Sequence, residues 1–256
     1  AMPEPLRNET PPYRIISRGG AAGPYQAFPD ACRLHNGDIM VVFYDGYGHV
    51  SLPNEEWPRG GRICMVRSRD EGQTWTAPEV LFDGPHDDRD PHIAQMSDGT
   101  VICSFFEYFQ QEGATTFAAA IVRSHDGGHT WDAEPQRVTP LGWACSAPVR
   151  EVQGVYLLGV YTEGDGKAWG GVVRSTDGGQ TWSEPIPIGK EANQYLDAET
   201  DLIQLKDGRL FAALRSSVVN MHWATSDDLG VTWSPVRDIG FRGHAPHLTR
   251  LSTGEI

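Results

Sequence analysis

The sequence predicts an all-β fold, a β-propeller of four-stranded antiparallel blades, and three observations carry the prediction. First, one eight-residue phrase occurs four times, as SRDEGQTW (68–75), SHDGGHTW (124–131), STDGGQTW (175–182) and SDDLGVTW (226–233). Its aspartates, Asp70, Asp126, Asp177 and Asp228, lie 56, 51 and 51 residues apart. A period of about fifty residues implies stacked or radially arranged copies of one supersecondary unit. Second, each phrase stands between two short apolar strands and follows another strand pair, so one unit holds four strands, A to D. Third, no run of useful length carries the 3.6-residue period of an amphipathic helix. Four-stranded units repeated radially are propeller blades.

The first unit reads DACRLHNGDIMVVFY (30–44) for strands A and B, ICMVRS (63–68) for C and EVLF (79–82) for D. The second reads HIAQMSDGTVICSFF (92–106), AAAIVRS (118–124) and QRVT (136–139). The third is SAPVREVQGVYLLGVY (146–161), GVVRS (171–175) and IPIG (186–189). The fourth is ETDLIQLKDGRLFAAL (199–214), HWATS (222–226) and VRDIG (236–240). Asn36-Gly37, Asp98-Gly99 and Asp207-Gly208 are hairpin signals between A and B. The phrase itself closes the C–D hairpin. Its Asp accepts bonds from amides of its own turn, its Gly permits a positive φ, and its Trp packs between sheets. The four phrase aspartates are therefore read as structural. Calcium loops would need more carboxylates each.

APHLTRLSTGEI (245–256) begins a fifth unit, and TPPYRIISRGG (10–20) is expected to be a lone outer strand. The expectation is a single domain over residues 1–256, a six-bladed type of propeller represented by about four and a half blades.

The net charge of −13 argues against nucleic acid or an anionic membrane as partner. No stretch approaches the roughly 20 apolar residues of a membrane span, and no secretory leader is read at the start. Cys32, Cys64, Cys103 and Cys145 fall in separate predicted strands without a CxxC pair. They read as free thiols, which favours a reducing, cytoplasmic setting. Oligomeric state is not legible.

Blade geometry limits where a site can be. The A–B and C–D turns share one face, so the starts of A strands and the ends of B strands converge on the other. The A starts offer Asp30, Arg89, Asp90, His92, Cys145, Ser146, Asp197, Glu199, His244 and His247. The B ends offer Tyr44, Asp45, Glu107, Tyr108, Tyr161, Glu163 and Arg215. Carboxylates crowded at such a mouth acquire the shifted pKa values that acid–base chemistry uses. Asp90 with His92, His244 and His247 suggests a metal, but two histidines three apart in a strand point to opposite faces, so neither metal nor cofactor is expected. Trp143 and Trp169 could stack on sugars or pack in the core.

The repeated phrase is the Asp box, and the chain resembles the sialidase superfamily of six-bladed propellers over essentially its whole length. The resemblance implies a glycoside hydrolase acting on a glycan, with sialic acid or another acidic sugar as substrate. In that family a Glu activates a nucleophilic Tyr, three arginines hold the substrate carboxylate, and a first-blade Asp is the acid/base. Glu199 and Arg215 match the activating Glu and the second arginine, and Asp90 matches an Asp-Pro segment after a box. Asp45, Glu55 and Glu56 are first-blade acid/base candidates. Arg89, His92, Glu107, Tyr161, His244 and His247 are expected to bind substrate. The first arginine is not matched, because QAFPDA carries Ala27 there. The nucleophilic Tyr and third arginine would fall beyond Ile256. A sialidase-like enzyme on another sugar therefore fits better than a strict sialidase. A non-catalytic glycan-binding propeller and a propeller polysaccharide lyase are the alternatives.

Overall fold

The computed structural model describes residues 13–256 apart from 165, 166 and 198. Among the described residues, sixteen strands form four antiparallel sheets, each in simple sequence order. Blade 1 contains β1 (Tyr25–Arg33), β2 (Ile39–Gly46), β3 (Arg62–Ser68) and β4 (Glu79–Phe82). Blade 2 contains β5 (Asp87–Gln95), β6 (Val101–Gln111), β7 (Ala114–Ser124) and β8 (Gln136–Arg137). Blade 3 contains β9 (Arg150–Val152), β10 (Val155–Gly164), β11 (Lys167–Ser175) and β12 (Ile186–Ile188), and blade 4 contains β13 (Thr200–Gln204), β14 (Leu210–Leu214), β15 (His222–Ser226) and β16 (Arg237–Asp238). The all-β, four-stranded-blade prediction is what the molecule adopts. Among the described residues no helix is long and apolar enough to cross a membrane.

The four Asp boxes share one circuit of hydrogen bonds. In the first, Asp70 Oδ1 accepts from the Ser68 hydroxyl (2.9 Å) and the Thr74 amide (2.8 Å), while Oδ2 accepts from the Thr74 hydroxyl (2.6 Å). The Gly72 amide donates back to Ser68 Oγ at 2.8 Å. Asp126, Asp177 and Asp228 repeat these bonds. Hydrogen bonds to the charged form hold the Asp70, Asp177 and Asp228 carboxyls down at about 2. Each box carboxylate is thus engaged by its own turn, as a structural role requires.

Between blades the side chains interdigitate. Leu34, Met40, Val42, Ile63 and Phe82 of blade 1 meet Ile93, Val101, Cys103, Phe105 and Val122 of blade 2. Equivalent cores join blades 2 and 3, around Ile102, Ile121, Leu158 and Val173, and blades 3 and 4, around Leu157, Val172, Leu202 and Leu214. The box tryptophans Trp131, Trp182 and Trp233 pack against these seams, and Trp75 packs on the outer side of blade 1. At the third seam the backbones nearly touch. A Cβ on Gly159 of β10 would stand 1.9 Å from the Thr200 carbonyl oxygen of β13. All four cysteines are free.

The ends differ from expectation in form. Residues 13–17 form no strand; Ile16 instead covers the outer core of blade 1, and Arg14 donates to the Gln73 carbonyl of the first box. Residues 10–12 of that expected strand lie outside the described residues. Past blade 4 no strand forms, but the fifth A–B turn does. Gly254 N donates to Leu251 O (2.8 Å), as Gly37 N does to Leu34 O (2.9 Å). One unexpected 3-10 turn, Lys190–Ala192, precedes blade 4.

Candidate functional site

Arg33, beside the first A–B turn, pairs with Glu71 of the first box at 2.7 Å, so those turns do share a face. At the opposite ends of the strands a cavity of about 680 Å³ opens. Its shape begins with a repeated backbone device. Phe28 (φ 53°), Asp90 (φ 50°) and Ala245 (φ 48°) each take a left-handed conformation immediately before a proline. The β1/β2 register shifts between Ala27 and Asp30, and the β5/β6 register between Arg89 and His92. Such bulges re-aim side chains, and strained φ values cluster at functional sites. Counting back nine positions from the turn glycines Gly37, Gly99, Gly208 and Gly254 reaches Phe28, Asp90, Glu199 and Ala245. Asp90 and Glu199 therefore occupy the same station in blades 2 and 4.

Both carboxyls line the cavity. Asp90 Oδ2 accepts from the Ser146 hydroxyl at 3.0 Å, and its buried Oδ1 has no protein partner. Glu199 Oε1 accepts from Arg215 Nη1 at 2.6 Å, and its buried Oε2 likewise has none. Burial raises the pKa of Asp90 above the ordinary carboxylate range, against the lowering pull of Arg89 and Ser146. Burial also raises that of Glu199; Arg215 opposes the rise and the Asp90 charge adds to it. Tyr161, at the end of β10, is pushed well above the usual phenol value by burial and then by the Asp90 and Glu199 charges. Three ionisable groups from three blades thus sense one another across one space.

Arg89 is buried, 6% exposed, inside an aromatic box. Its guanidinium carbon lies 5.5–5.8 Å from the ring centres of Phe28, Tyr44, Phe106 and Tyr108. Its Nε is buried without a hydrogen-bond partner. Cation–π contact holds the charge in place without neutralising it, so the group stays available to an anion. Arg215 is committed to Glu199 and stands 3.9 Å from Asp197, but its Nε is also unpartnered.

Of the residues expected at the site, Arg89, Asp90, His92, Tyr161, Glu199, Arg215, His244 and His247 line the cavity together. Asp45, Glu55 and Glu107 do not. Asp45 is fully buried, bonded to the Gly23 amide (2.5 Å) and paired with Arg62 (2.9 Å). Glu107 turns into blade 2, where Arg137 Nε bonds it at 2.5 Å. Glu55 is exposed on the long first-blade loop. That loop reaches the cavity with His49 and Val50 instead. His49 packs edge-on against Phe28. It stands beside the acidic residues considered above, and a search limited to carboxylates passes over it. Trp143 packs against the core between blades 2 and 3, and Trp169 lies under Lys190; neither lines the cavity. Asp30, His92 and His247 also gather at its wall, with one potential ligand atom each within 4.8 Å of the others.

Comparison with known structures returns propellers. A protein of unknown function from Dyadobacter fermentans is 24% identical, with a TM-score of 0.72 over 89% of this chain and 72% of that one. The NanB sialidase of Streptococcus pneumoniae is 15% identical, with a TM-score of 0.69 over 91% of this chain and 55% of that one. An α-L-arabinanase of Penicillium chrysogenum, solved with arabinobiose, is 14% identical, with a TM-score of 0.61 over 90% and 68%. The chain thus spans only about half the length of the sialidase. At these identities the likeness is one of fold. No curated protein sequence matches. The BNR repeat-like domain model matches residues 59–254, and the chain belongs to that family.

Proposed function

We propose that the protein is a glycoside hydrolase acting on a glycan that carries an acidic group. One observation carries the reading: Asp90 and Glu199 face one cavity, each half-buried, each raised in pKa, and each with one buried carboxyl oxygen unpartnered. A carboxyl kept protonated above its ordinary range is a general acid at a glycosidic oxygen. Asp90 takes that role, with Ser146 fixing its other oxygen. Glu199 serves as base, drawing the proton either from water or from Tyr161. Arg89 and Arg215 hold the acidic group of the sugar. The fold it shares with a sialidase and an arabinanase is in keeping with a carbohydrate substrate.

The test is hydrolysis of chromogenic aryl glycosides of sialic acid, uronic acids and arabinofuranose, with Asp90→Asn and Glu199→Gln as variants. Each substitution is expected to lower kcat/KM on the preferred substrate by about 10²–10⁴-fold, the usual worth of general acid–base catalysis. Wild-type rates in both variants would refute the assignment. A product with new ultraviolet absorbance would mark an eliminating lyase. Glycan binding without turnover by the wild-type protein would mark a binding module.

A further inference from the structure

We propose that Asp30, His92 and His247 form a binding site for a divalent transition cation of the zinc class at the wall of the cavity. The inference stands apart from the glycosidase reading, because it concerns three side chains to which that reading assigns no chemical step. Each follows a proline that itself comes directly after a left-handed residue, in Phe28-Pro29-Asp30, Asp90-Pro91-His92 and Ala245-Pro246-His247. The same backbone device in three units therefore aims three donors at one point.

The donors are prepared for a ligand in the way that metal sites are. His92 Nδ1 lies 3.1 Å from the Asp90 carbonyl oxygen. A proton on Nδ1 satisfies that carbonyl and leaves the Nε2 lone pair facing outward; a ligating histidine usually has its second nitrogen fixed in this manner. Asp30 Oδ2 is held by the Ile93 amide at 2.9 Å, which leaves Oδ1 free to turn towards the histidines. Asp30 Oδ1 and His247 Nδ1 are 3.8 Å apart, too far for a hydrogen bond. That spacing is close to the about 3.4 Å that two donors keep around a tetrahedral zinc ion. The His92 and His247 rings lie nearly parallel, 15° apart, with centres 6.3 Å from each other.

Two imidazoles and one carboxylate suit zinc and its neighbours better than calcium or magnesium, which take oxygen ligands. Three protein ligands leave coordination positions open, and all three residues line the large cavity. Water or an oxygen of a bound glycan would complete the shell. The earlier objection to a metal concerned His244 and His247, which are three apart. The group in the structure omits His244 and recruits Asp30 from the first blade.

Calorimetric titration of the chelator-treated chain with Zn²⁺, with Co²⁺ absorption as a second probe, tests the proposal. One tight site per chain is expected. His92→Ala and His247→Ala should each weaken binding by about 10–100-fold or more, and Asp30→Asn, which keeps the acceptor for Ile93, should do the same. His129→Ala, which alters a histidine in the exposed second box, should bind as wild type. Zn²⁺ should raise the melting temperature of the wild type and of His129→Ala but not of the three site variants. Absence of a site in the wild type, or wild-type binding by folded His92→Ala and His247→Ala proteins, would overturn it.

Discussion

Ser146 shows how one hydroxyl tunes a carboxyl in this cavity. It donates to Asp90 and so favours the carboxylate, while burial favours the acid and wins. If Asp90 must be protonated to act, the alkaline limb of the kcat/KM profile lies above the ordinary carboxylate range. Ser146→Ala removes a lowering contribution, so Asp90 should hold its proton to still higher pH and that limb should move upward. A limb that stays still, or moves down, would separate Asp90 from the acid role. Asp45 makes the converse point. Its position at the end of a B strand was as good as that of any site residue, yet Arg62, 17 positions later, and a loop amide close it off. Which carboxylate keeps a free oxygen depends on partners distant in sequence, and no local pattern reveals them.

At the scale of the element, the Asp box is a turn that carries its own stabilisation. Because Asp70, Asp177 and Asp228 are held at about 2, against about 3.9 for an unfolded Asp, they bind fewer protons folded than unfolded. Their contribution is complete above about pH 4 and is lost as pH falls towards about 2. Asp70→Asn should therefore lower the melting temperature at neutral pH and make it fall less steeply between those limits. Thermal scans across the acid range would check this, and a parallel curve for the variant would contradict it. These boxes, with their regular spacing and Gly-containing turns, made the blades legible, because each is a local bargain between neighbours in sequence. The bulges were not legible. Nothing in FPD or DPH alone announces a left-handed Phe28 or Asp90; that strain persists because the surrounding strands impose it.

For the whole molecule, the decisive contacts run between blades. Radial placement of Glu199, Arg215, Asp90 and the histidines followed from the repeat alone, since any ring of such units brings the inner-strand starts together. How close the units come did not, because it depends on single small residues at the seams. Gly159 is the sharpest case. Alanine there would thrust a methyl group onto the Thr200 carbonyl, backbone against backbone, where no side chain can move aside. Gly159→Ala should destabilise the fold more than alanine at Gly154, whose surroundings offer open space but whose positive φ already imposes strain. Denaturant titration of the two variants would rank them, and equal midpoints would argue against the seam. Tyr161 lies two residues beyond Gly159, and Glu199 directly precedes Thr200. Both cavity residues are thus mounted beside a seam where two backbones meet closely. Sliding blade 3 against blade 4 would have to break that contact, whereas the first-blade loop that bears His49 and Val50 borders the same cavity without being locked into it by such a seam.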